Sequence, residues 1–140
     1  MIKPRTIICD LDGTLAIHNG RGPFDYDKCD TDLVNEPVSD VVFAMIESGM
    51  ADQVIYLSGR PNSCREKSES WLYHACAARG PLMMRETGDY RNDAIVKEEI
   101  YRRDIEPRYN VILILDDRDR VVNMWRSLGL TCLQVEPGNF

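Results

Sequence analysis

The sequence predicts a single domain over residues 1–140 with an α/β fold, in which helices cover both faces of a parallel sheet. A chain of 140 residues is long enough to bury one hydrophobic core. Five short apolar runs alternate with longer segments of helical periodicity, and one run, residues 111–115, is apolar at every position. Strands that alternate with helices form parallel pairs, because the crossover between parallel strands needs a long connection.

Each predicted strand is a short apolar run bounded by polar residues, glycine or proline. A run that is apolar throughout, such as residues 111–115, is typical of a central strand buried on both faces. The predicted strands cover residues 6–9, 54–57, 82–84, 111–115 and 131–135.

Proline and glycine residues mark the ends of the predicted helices. The helices run from Pro37 to Gly49, from Pro61 to Gly80, over about residues 91–103, and across residues 121–128 before Gly129. Their apolar stripes are expected to pack on the sheet and comprise Val38, Val41, Val42, Met45 and Ile46, then Trp71, Leu72 and Ala75, then Val121, Val122, Met124, Trp125 and Leu128.

Residues 16–36 interrupt this alternation of strands and helices. The segment contains Gly20, Gly22, Pro23 and several charged side chains, with little periodicity. Loops of this length are uncommon in compact domains and are usually functional. We therefore expect residues 16–36 to contribute to a functional site.

Composition and charge exclude several classes of protein. Fractions of 44% hydrophobic and 29% charged residues are typical of soluble globular proteins, and no apolar run is long enough to span a membrane. The first residues lack the pattern of a signal peptide, so we expect a soluble, cytoplasmic protein. The net charge of −6 argues against a large basic surface for duplex nucleic acid, but not against a pocket for one strand end.

The cysteines are predicted to be reduced thiols. Their number is odd and they form no C-x-x-C pair, which argues against both a zinc site and a disulfide framework. They are Cys9, Cys29, Cys64, Cys76 and Cys132.

Asp10 and Asp12 follow the first predicted strand directly and are themselves followed by Gly13 and Thr14. In open α/β sheets, ligands bind beyond the carboxyl ends of the strands. One carboxylate at such a position can act as a nucleophile toward phosphorus, and the other as a general acid or base. The alternative is an ordinary turn, which also favours aspartate and glycine.

Ser58, Gly59 and Arg60 follow the second predicted strand. A hydroxyl group and exposed amides at a helix start can bind phosphate, and an arginine can bind an oxyanion through two hydrogen bonds. The alternative is that Ser58 caps the next helix.

Asp116, Asp117 and Asp119 follow the fourth predicted strand. With Asp10, the first two offer the oxygen ligands that Mg²⁺ prefers. The alternative is that Asp117 or Asp119 caps the following helix, and we favour this alternative for Asp119.

Lys97 lies one helical turn after Asp93. Such pairs usually lie on the surface, and the spacing alone favours that interpretation. A role for Lys97 in the site is inferred only because a nucleophile that attacks a phosphate group needs a fixed cation beside it. His18 and His74 lack the spacing of metal ligands and are interpreted as incidental.

Taken together, Asp10-x-Asp12-Gly13-Thr14, Ser58, Lys97 and Asp116-Asp117 resemble the four motifs of the haloacid dehalogenase (HAD) superfamily of phosphotransferases. Further stretches resemble the 3′-phosphatase domain of phage-type polynucleotide kinase-phosphatase over nearly the whole chain. The resemblance implies a Rossmann-like HAD fold in which residues 16–36 form only a small cap insert. The matching stretches are residues 19–25, 28–32, 88–93, 116–118 and 121–140.

The resemblance implies a role for each matched residue. Asp10 is expected to be the nucleophile and Asp12 the proton donor to the leaving oxygen. Mg²⁺ is expected to bind Asp10, the Asp12 backbone carbonyl, Asp116 and Asp117. Ser58 and Lys97 are expected to hold the phosphoryl group, and Arg21, Arg60 and Asp93 are expected to be further residues required for activity. The residues expected to bind the substrate are Arg21, Ser58, Gly59, Arg60 and Lys97.

The predicted activity is Mg²⁺-dependent removal of 3′-terminal phosphate from DNA or RNA ends through an aspartyl-phosphate intermediate, in nucleic-acid end healing. The expected partners are strand ends and a kinase or ligase of the same repair pathway, with no membrane. No G-x-x-x-x-G-K-[ST] sequence is present, so we expect no 5′-kinase domain here. Two alternatives remain: a HAD phosphatase of nucleotides or sugar phosphates, and a non-catalytic module that binds strand ends.

Overall fold

The computed structural model describes residues 2–75 and 78–140 and shows a five-stranded parallel sheet with helices on both faces. The predicted α/β fold is therefore confirmed. Its order is β5-β4-β1-β6-β7, and a separate two-stranded sheet pairs β2 with β3. The elements are β1 (Arg5–Cys9), β2 (Ala16–Ile17), β3 (Leu33–Val34), α1 (Glu36–Glu47), β4 (Gln53–Pro61), α2 (Arg65–Ala75), β5 (Leu82–Arg85), α3 (Asp93–Ile100), β6 (Asn110–Arg118), α4 (Asp119–Ser127) and β7 (Cys132–Gly138).

Strand β1 lies at the centre of the sheet, with β4 on one side and β6 on the other. After β1, the chain forms β4 and β5 on one side of the sheet and then crosses over to form β6 and β7 on the other side. A reversal of strand order of this kind leaves a crevice at the carboxyl ends of the strands, where ligands bind in open α/β sheets. Residues that follow β1 are therefore placed at the crevice.

Strand β4 is longer than predicted and contains Ser58, Gly59 and Arg60. Pro61 ends this strand instead of starting a helix, and α2 begins at Arg65 after a short 3₁₀ helix. The register between β4 and β5 shifts before Pro61, which accommodates a residue without an N–H donor at the strand end. The alternative in which Ser58 caps the following helix is therefore wrong.

Strand β6 likewise contains Asp116 and Asp117. The residue at the cap position of α4 is Arg118, and its side chain makes no capping hydrogen bond. The Oδ1 atom of Asp119 accepts hydrogen bonds from Gln134 Nε2 (2.7 Å) and Gly138 N (3.1 Å), so that it joins α4 to β7. The favoured interpretation of Asp119 as the helix cap is therefore wrong, and so is the alternative that Asp117 caps this helix.

Two apolar layers enclose the sheet, and β1 contributes alternate side chains to them. Ile7 and Cys9 lie in the layer that includes α1 and α2, whereas Ile8 lies in the layer that includes α3 and α4. Trp71 and Trp125 are buried in the first and second layer, respectively, as predicted from their positions on helical stripes.

The helices differ from the predictions in two details. Val38 and Val42 of α1 are buried, but Val41 is 44% exposed because its side of the helix faces away from the sheet. Helix α3 begins at Asp93, where the Asn92 side chain accepts a hydrogen bond from the Ala94 amide, and a π-helical turn follows it at Tyr101–Ile105.

Residues 16–36 form a small insert that contains the β2–β3 hairpin and a 3₁₀ helix at Tyr26–Thr31. Buried Cys29 and Asp32 fix the insert to the domain, and the Trp71 indole donates a hydrogen bond to the Asp32 carbonyl (2.8 Å). The insert thus lies against α2, next to the carboxyl end of β1.

Cys29, Cys64 and Cys132 are reduced thiols, whereas the prediction for Cys76 and the predicted continuation of the second helix through residues 76 and 77 lie outside the described residues. Within residues 2–75 and 78–140, no helix has both the length and the apolar character needed to cross a membrane.

Candidate active site

Three acidic side chains meet at the carboxyl ends of β1 and β6. Asp10 follows β1 directly, Asp116 and Asp117 lie at the end of β6, and each is at most 5% exposed. One carboxylate oxygen from each lies within 4.8 Å of the others. The parallel pairing that places Cys9 opposite Leu115 brings the three acids together, although Asp10 is over a hundred positions from the other two.

Lys97 reaches this acidic cluster from α3. Its Nζ atom lies 2.9 Å from Asp10 Oδ1 and 3.0 Å from Asp116 Oδ2, and the residue is only 2% exposed. The interpretation of Lys97 as a surface partner of Asp93 is therefore wrong. Burial lowers the pKa of Lys97, but Asp10 and Asp116 outweigh burial and hold the pKa above its usual value, so Lys97 is a fixed cation.

The acidic cluster carries more negative charge than its cation balances. Burial, then the neighbouring Asp116 and Asp117, raise the pKa of Asp10 well above its usual value, although Lys97 opposes the shift. Burial and Asp116 also raise the pKa of Asp117. When all three acids are ionised, Lys97 leaves two negative charges uncompensated, which a divalent cation with a preference for oxygen ligands would neutralise.

The turn after β1 holds Asp10 in place. The Thr14 hydroxyl donates a hydrogen bond to Asp10 Oδ2 (2.9 Å). Gly13 has a φ of +81°, and a Cβ atom on it would lie 2.1 Å from an Asp117 carboxylate oxygen. The turn therefore needs glycine both for its backbone conformation and for the close approach of Asp117.

Asp12 is held by two buried arginines. Arg60 donates to both Asp12 carboxylate oxygens, at 3.0 and 2.7 Å, and Arg21 donates to Oδ1 at 2.9 Å. Neither guanidinium group is exposed, whereas the Asp12 side chain is 28% exposed. Arg21 and Arg60 thus bind carboxylates in this structure instead of facing an open oxyanion site.

His18 is also a partner of Asp12, at 3.0 Å from Nε2 to Oδ1, so the interpretation of His18 as incidental is wrong. Burial by itself raises the pKa of Asp12. Hydrogen bonds and charge from Arg60, with contributions from His18 and Arg21, outweigh burial and hold the pKa below its usual value. Asp12 is therefore ionised at neutral pH, in contrast to the raised pKa of Asp10.

Asp32 is a further residue at this site and had no predicted role. Its side chain is fully buried and accepts hydrogen bonds from Arg21 Nε (2.7 Å) and Arg60 Nη2 (2.9 Å). Asp32 and Asp12 together balance the two arginines, so this group is an ion-pair network and not a metal site. No local sequence signal distinguishes Asp32 from the other acids of the insert, because its contacts come from distant segments.

Replacement of Asp32 with asparagine is expected to reduce both stability and turnover. The change leaves two buried guanidinium groups facing one carboxylate, and loss of one partner from a buried ion pair costs about 3–5 kcal/mol. Asp12 then loses its fixed orientation, which is expected to lower kcat about a hundredfold. Thermal unfolding and phosphate-release assays measure the two effects.

The matched control for this change is Asp25→Asn, in the same insert. Asp25 is exposed and lies 3.9 Å from Lys28, so its replacement is expected to change little. Similar results for Asp32→Asn and Asp25→Asn would contradict a positioning role for Asp32.

Asp93 lies at the start of α3 and joins two more arginines. Its carboxylate accepts hydrogen bonds from Arg85 Nη2 and from Arg118 Nη1, the latter at 2.5 Å. A Cβ atom on Gly59 would lie 2.8 Å from Asp93 Oδ1, so glycine permits this close packing. Ser58 is 1% exposed, and its Oγ atom accepts a hydrogen bond from the Arg60 amide (3.1 Å).

A cavity of about 1330 Å³ opens next to these groups. Asp10, Asp12, Lys97, Asp116 and Asp117 all line it, together with Gly59 and Asp93. The structure thus brings most of the predicted site residues to one cavity, whereas Ser58, Arg21 and Arg60 lie in the buried layer behind it.

The chain matches the family model of the polynucleotide kinase PNKP phosphatase domain over residues 4–140. It is also similar to a candidate bifunctional polynucleotide kinase/RNA ligase of Autographa californica nuclear polyhedrosis virus. The two sequences are 30% identical over 130 residues, which cover 91% of this chain and 18% of the viral protein.

Two solved structures are similar over 99% of this chain with 44% sequence identity. One is a structure of the Pnkp1/Rnl/Hen1 complex, with a TM-score of 0.92, and the other is the Pnkp1/Rnl/Hen1 RNA repair complex, with a TM-score of 0.91. The match covers 48% and 44% of those chains, so this chain spans about half of the length of its structural relatives. Because the family model spans nearly the whole sequence, the chain belongs to the family of HAD-type phosphatase domains of polynucleotide kinase-phosphatase (PNKP).

Proposed function

We propose that this chain is a Mg²⁺-dependent polynucleotide 3′-phosphatase that removes terminal phosphate from nucleic-acid strand ends. The observation that carries the proposal is the buried Asp10 carboxylate, which lies beside both a fixed lysine and two further acids. Asp12, two residues later, faces the same cavity and is suited to proton transfer. A module that only binds strand ends has no need for a nucleophile in this arrangement.

The named relatives support RNA ends as the substrate. The viral relative is named for polynucleotide kinase and RNA ligase activities, and one structural relative is described as an RNA repair complex. We therefore place this chain in RNA end healing, next to a polynucleotide kinase and a ligase that act on the same ends.

The donor set fits Mg²⁺. Asp10, Asp116 and Asp117 present hard oxygen ligands within one small volume, and their charge exceeds that of Lys97. The Asp12 backbone carbonyl is a further proposed ligand. When bound, Mg²⁺ would supply positive charge beside the phosphoryl oxygens.

In the first step, a carboxylate oxygen of Asp10 attacks phosphorus, and the bond from phosphorus to the 3′ oxygen breaks. The 3′ oxygen takes a proton from Asp12 and leaves as a hydroxyl group. Lys97 stays protonated and stabilises negative charge on the transferred phosphoryl group. Electrostatic stabilisation of this kind is the main source of catalysis in phosphoryl transfer.

In the second step, water attacks the phosphorus of the aspartyl-phosphate, and Asp12 takes a proton from this water. Phosphate then leaves, and the Asp10 carboxylate is restored. Asp12 is suited to this second role because Arg60 and Arg21 favour its ionised form. For the first step it needs a proton, which a phosphate monoester can bring as its monoanion, since the second pKa of such a group is about 6.

The test of the proposed function is phosphate release from three substrates in the presence of Mg²⁺. They are a 3′-phosphorylated oligonucleotide, the same strand with a 5′-phosphate, and a 3′-mononucleotide. We expect preferential release from the 3′-phosphorylated strand and loss of release when a chelator removes the metal. Equal release from all three would indicate a general small-molecule phosphatase, and no release from any would indicate a binding module.

A further inference from the structure

The two oxygens of the Asp12 carboxylate have unequal numbers of hydrogen-bond partners. Oδ1 accepts hydrogen bonds from Arg21 Nη2 (2.9 Å) and Arg60 Nη2 (2.7 Å) and lies 3.0 Å from His18 Nε2. Among the residues that the structure describes, Oδ2 accepts one hydrogen bond, from Arg60 Nε at 3.0 Å. Each carboxylate oxygen offers about two lone-pair sites, so Oδ1 is fully occupied, whereas Oδ2 keeps one site for a further partner.

His18 approaches Asp12 from a different side than the two arginines. The side chains of Arg21 and Arg60 are fully buried, whereas the His18 side chain is 26% exposed and lines the cavity that contains Asp10. The arginines therefore hold the carboxylate from the buried layer, and His18 holds it from the cavity side. Because a carboxylate only accepts hydrogen bonds, the Nε2 atom of His18 carries the proton that it donates.

Paired backbone fixes the position of His18. This residue follows β2 directly, and β2 pairs with β3 in the hairpin of the insert. The Gly13 amide donates a hydrogen bond to the Ala16 carbonyl (2.9 Å), which joins β2 to the turn that carries Asp12. The contact between His18 and Asp12 thus joins two segments whose backbones are already held together.

The unequal occupancy of the two Asp12 oxygens has a consequence for the proposed reaction. Proton transfer needs an oxygen of the carboxyl group that the reacting oxygen can approach. Oδ1 cannot serve while three donors point at it, so Oδ2 is the atom that gives a proton to the 3′ oxygen and later takes one from water. Without His18, the cavity side of Oδ1 would be open, and the leaving oxygen or water could approach either oxygen.

We propose that His18 is a positioning residue that keeps proton transfer at Asp12 Oδ2 by holding the cavity side of Oδ1. This inference rests on the proposed function and adds a residue of the insert to its mechanism. His18 itself neither gains nor loses a proton in either step. Because a fixed orientation of a catalytic group lowers the barrier to reaction, loss of this contact is expected to lower kcat and not the affinity for substrate.

The experiment compares His18→Leu, which removes the donor, with His18→Gln, which keeps a side-chain N–H group. On a 3′-phosphorylated oligonucleotide with Mg²⁺, His18→Leu is expected to lower kcat about tenfold with KM unchanged, because one hydrogen bond to a charged group is lost. His18→Gln is expected to stay within about threefold of the wild type, because a donor to Oδ1 remains.

Nitrophenyl phosphate provides a second readout, because its leaving group departs with little need for a proton. The first step is measured on both substrates in single turnovers with excess enzyme. His18→Leu is expected to slow the first step about tenfold on the oligonucleotide and less than about twofold on nitrophenyl phosphate. A general loss of structure would slow both substrates equally.

His74→Leu is the matched control, because His74 is the other histidine of the chain and lies exposed on α2, away from the cavity lining. Its replacement is expected to leave kcat and KM unchanged. The Nδ1 atom of His74 donates to the Ser70 carbonyl (2.8 Å), whereas His18 donates through Nε2. Nitrogen NMR of protein labelled at its histidines is expected to show these two different protonated nitrogens, and Asp12→Ala is expected to change the His18 signal alone.

The outcomes separate this inference from the proposed function. Unchanged kcat in His18→Leu, with 3′-phosphate release intact, would overturn the positioning role alone. An equal loss on nitrophenyl phosphate, or a higher KM with kcat unchanged, would also overturn it. A His18 signal that does not respond to Asp12→Ala would overturn it without any measurement of turnover. If the wild type releases phosphate from no substrate, the proposed function fails and the positioning role fails with it.

Discussion

Replacement of Asp10 with asparagine is expected to abolish phosphate release while the fold is kept. The amide is a poor nucleophile toward phosphorus, so we expect a loss of at least about 10⁴-fold, the scale seen when a covalent nucleophile is removed. Stability without metal is not expected to fall. The change removes one charge from a cluster in which burial, and then repulsion from Asp116 and Asp117, raise the pKa of Asp10.

Phosphate release and thermal unfolding, each with and without Mg²⁺, measure these effects. The wild type is expected to gain thermal stability from Mg²⁺, and Asp10→Asn is expected to gain less because one ligand is altered. Asp40→Asn, at an exposed position of α1, is the matched control and is expected to behave as the wild type. Retained turnover in Asp10→Asn would refute the assignment of the nucleophile.

The strands and the parallel order of the fold could be predicted because the apolar runs are local signals. Four of the five predicted runs lie inside a strand of the structure, and the fifth, residues 131–135, begins one residue before β7. The sequence could not show that Ser58 and Arg60 still belong to a strand. Their conformation depends on pairing with β5, which is a contact between segments and not a property of either segment.

The position of the acidic cluster at the candidate site was predictable because its members directly follow apolar runs. Asp10 and Asp116 are recognisable because an acid after a buried apolar run has few structural reasons to be there. Neither Asp32 nor His18 follows a predicted strand, so no local pattern identifies them. Their contacts with Arg60 and Asp12 form only when the insert packs against the rest of the domain. Long-range contacts of this kind leave no pattern in one sequence.

The position of Asp93 shows the same limit. Its spacing from Lys97 predicts a surface ion pair, whereas the structure directs Asp93 toward Arg85 and Arg118 and Lys97 toward Asp10. The end of β6 supplies a partner to each side chain, Asp116 to Lys97 and Arg118 to Asp93. Helical spacing therefore predicted which residues share a face of α3, but not which partners they have.

Replacement of Lys97 with methionine is the second change for which we expect a large effect. Methionine keeps much of the side-chain volume but removes the cation that lies within 3.0 Å of both Asp10 and Asp116. Three buried acids then lack a positive partner, and loss of one member of a buried ion pair costs about 3–5 kcal/mol. We expect a lower melting temperature without metal and a loss of turnover of at least about a hundredfold.

Arg102→Met is the matched control, because Arg102 lies on the same helical segment and pairs with Glu98 and Glu106 in solvent. Exposed pairs of this kind contribute about 0–1 kcal/mol, so little change is expected. Mg²⁺ is expected to restore part of the stability of Lys97→Met, since a divalent cation can neutralise the acids, but not its turnover. Recovery of both stability and turnover by Mg²⁺ would show that Lys97 only balances the charge of the acids. Recovery of stability alone would show that Lys97 also acts on the transferred phosphoryl group.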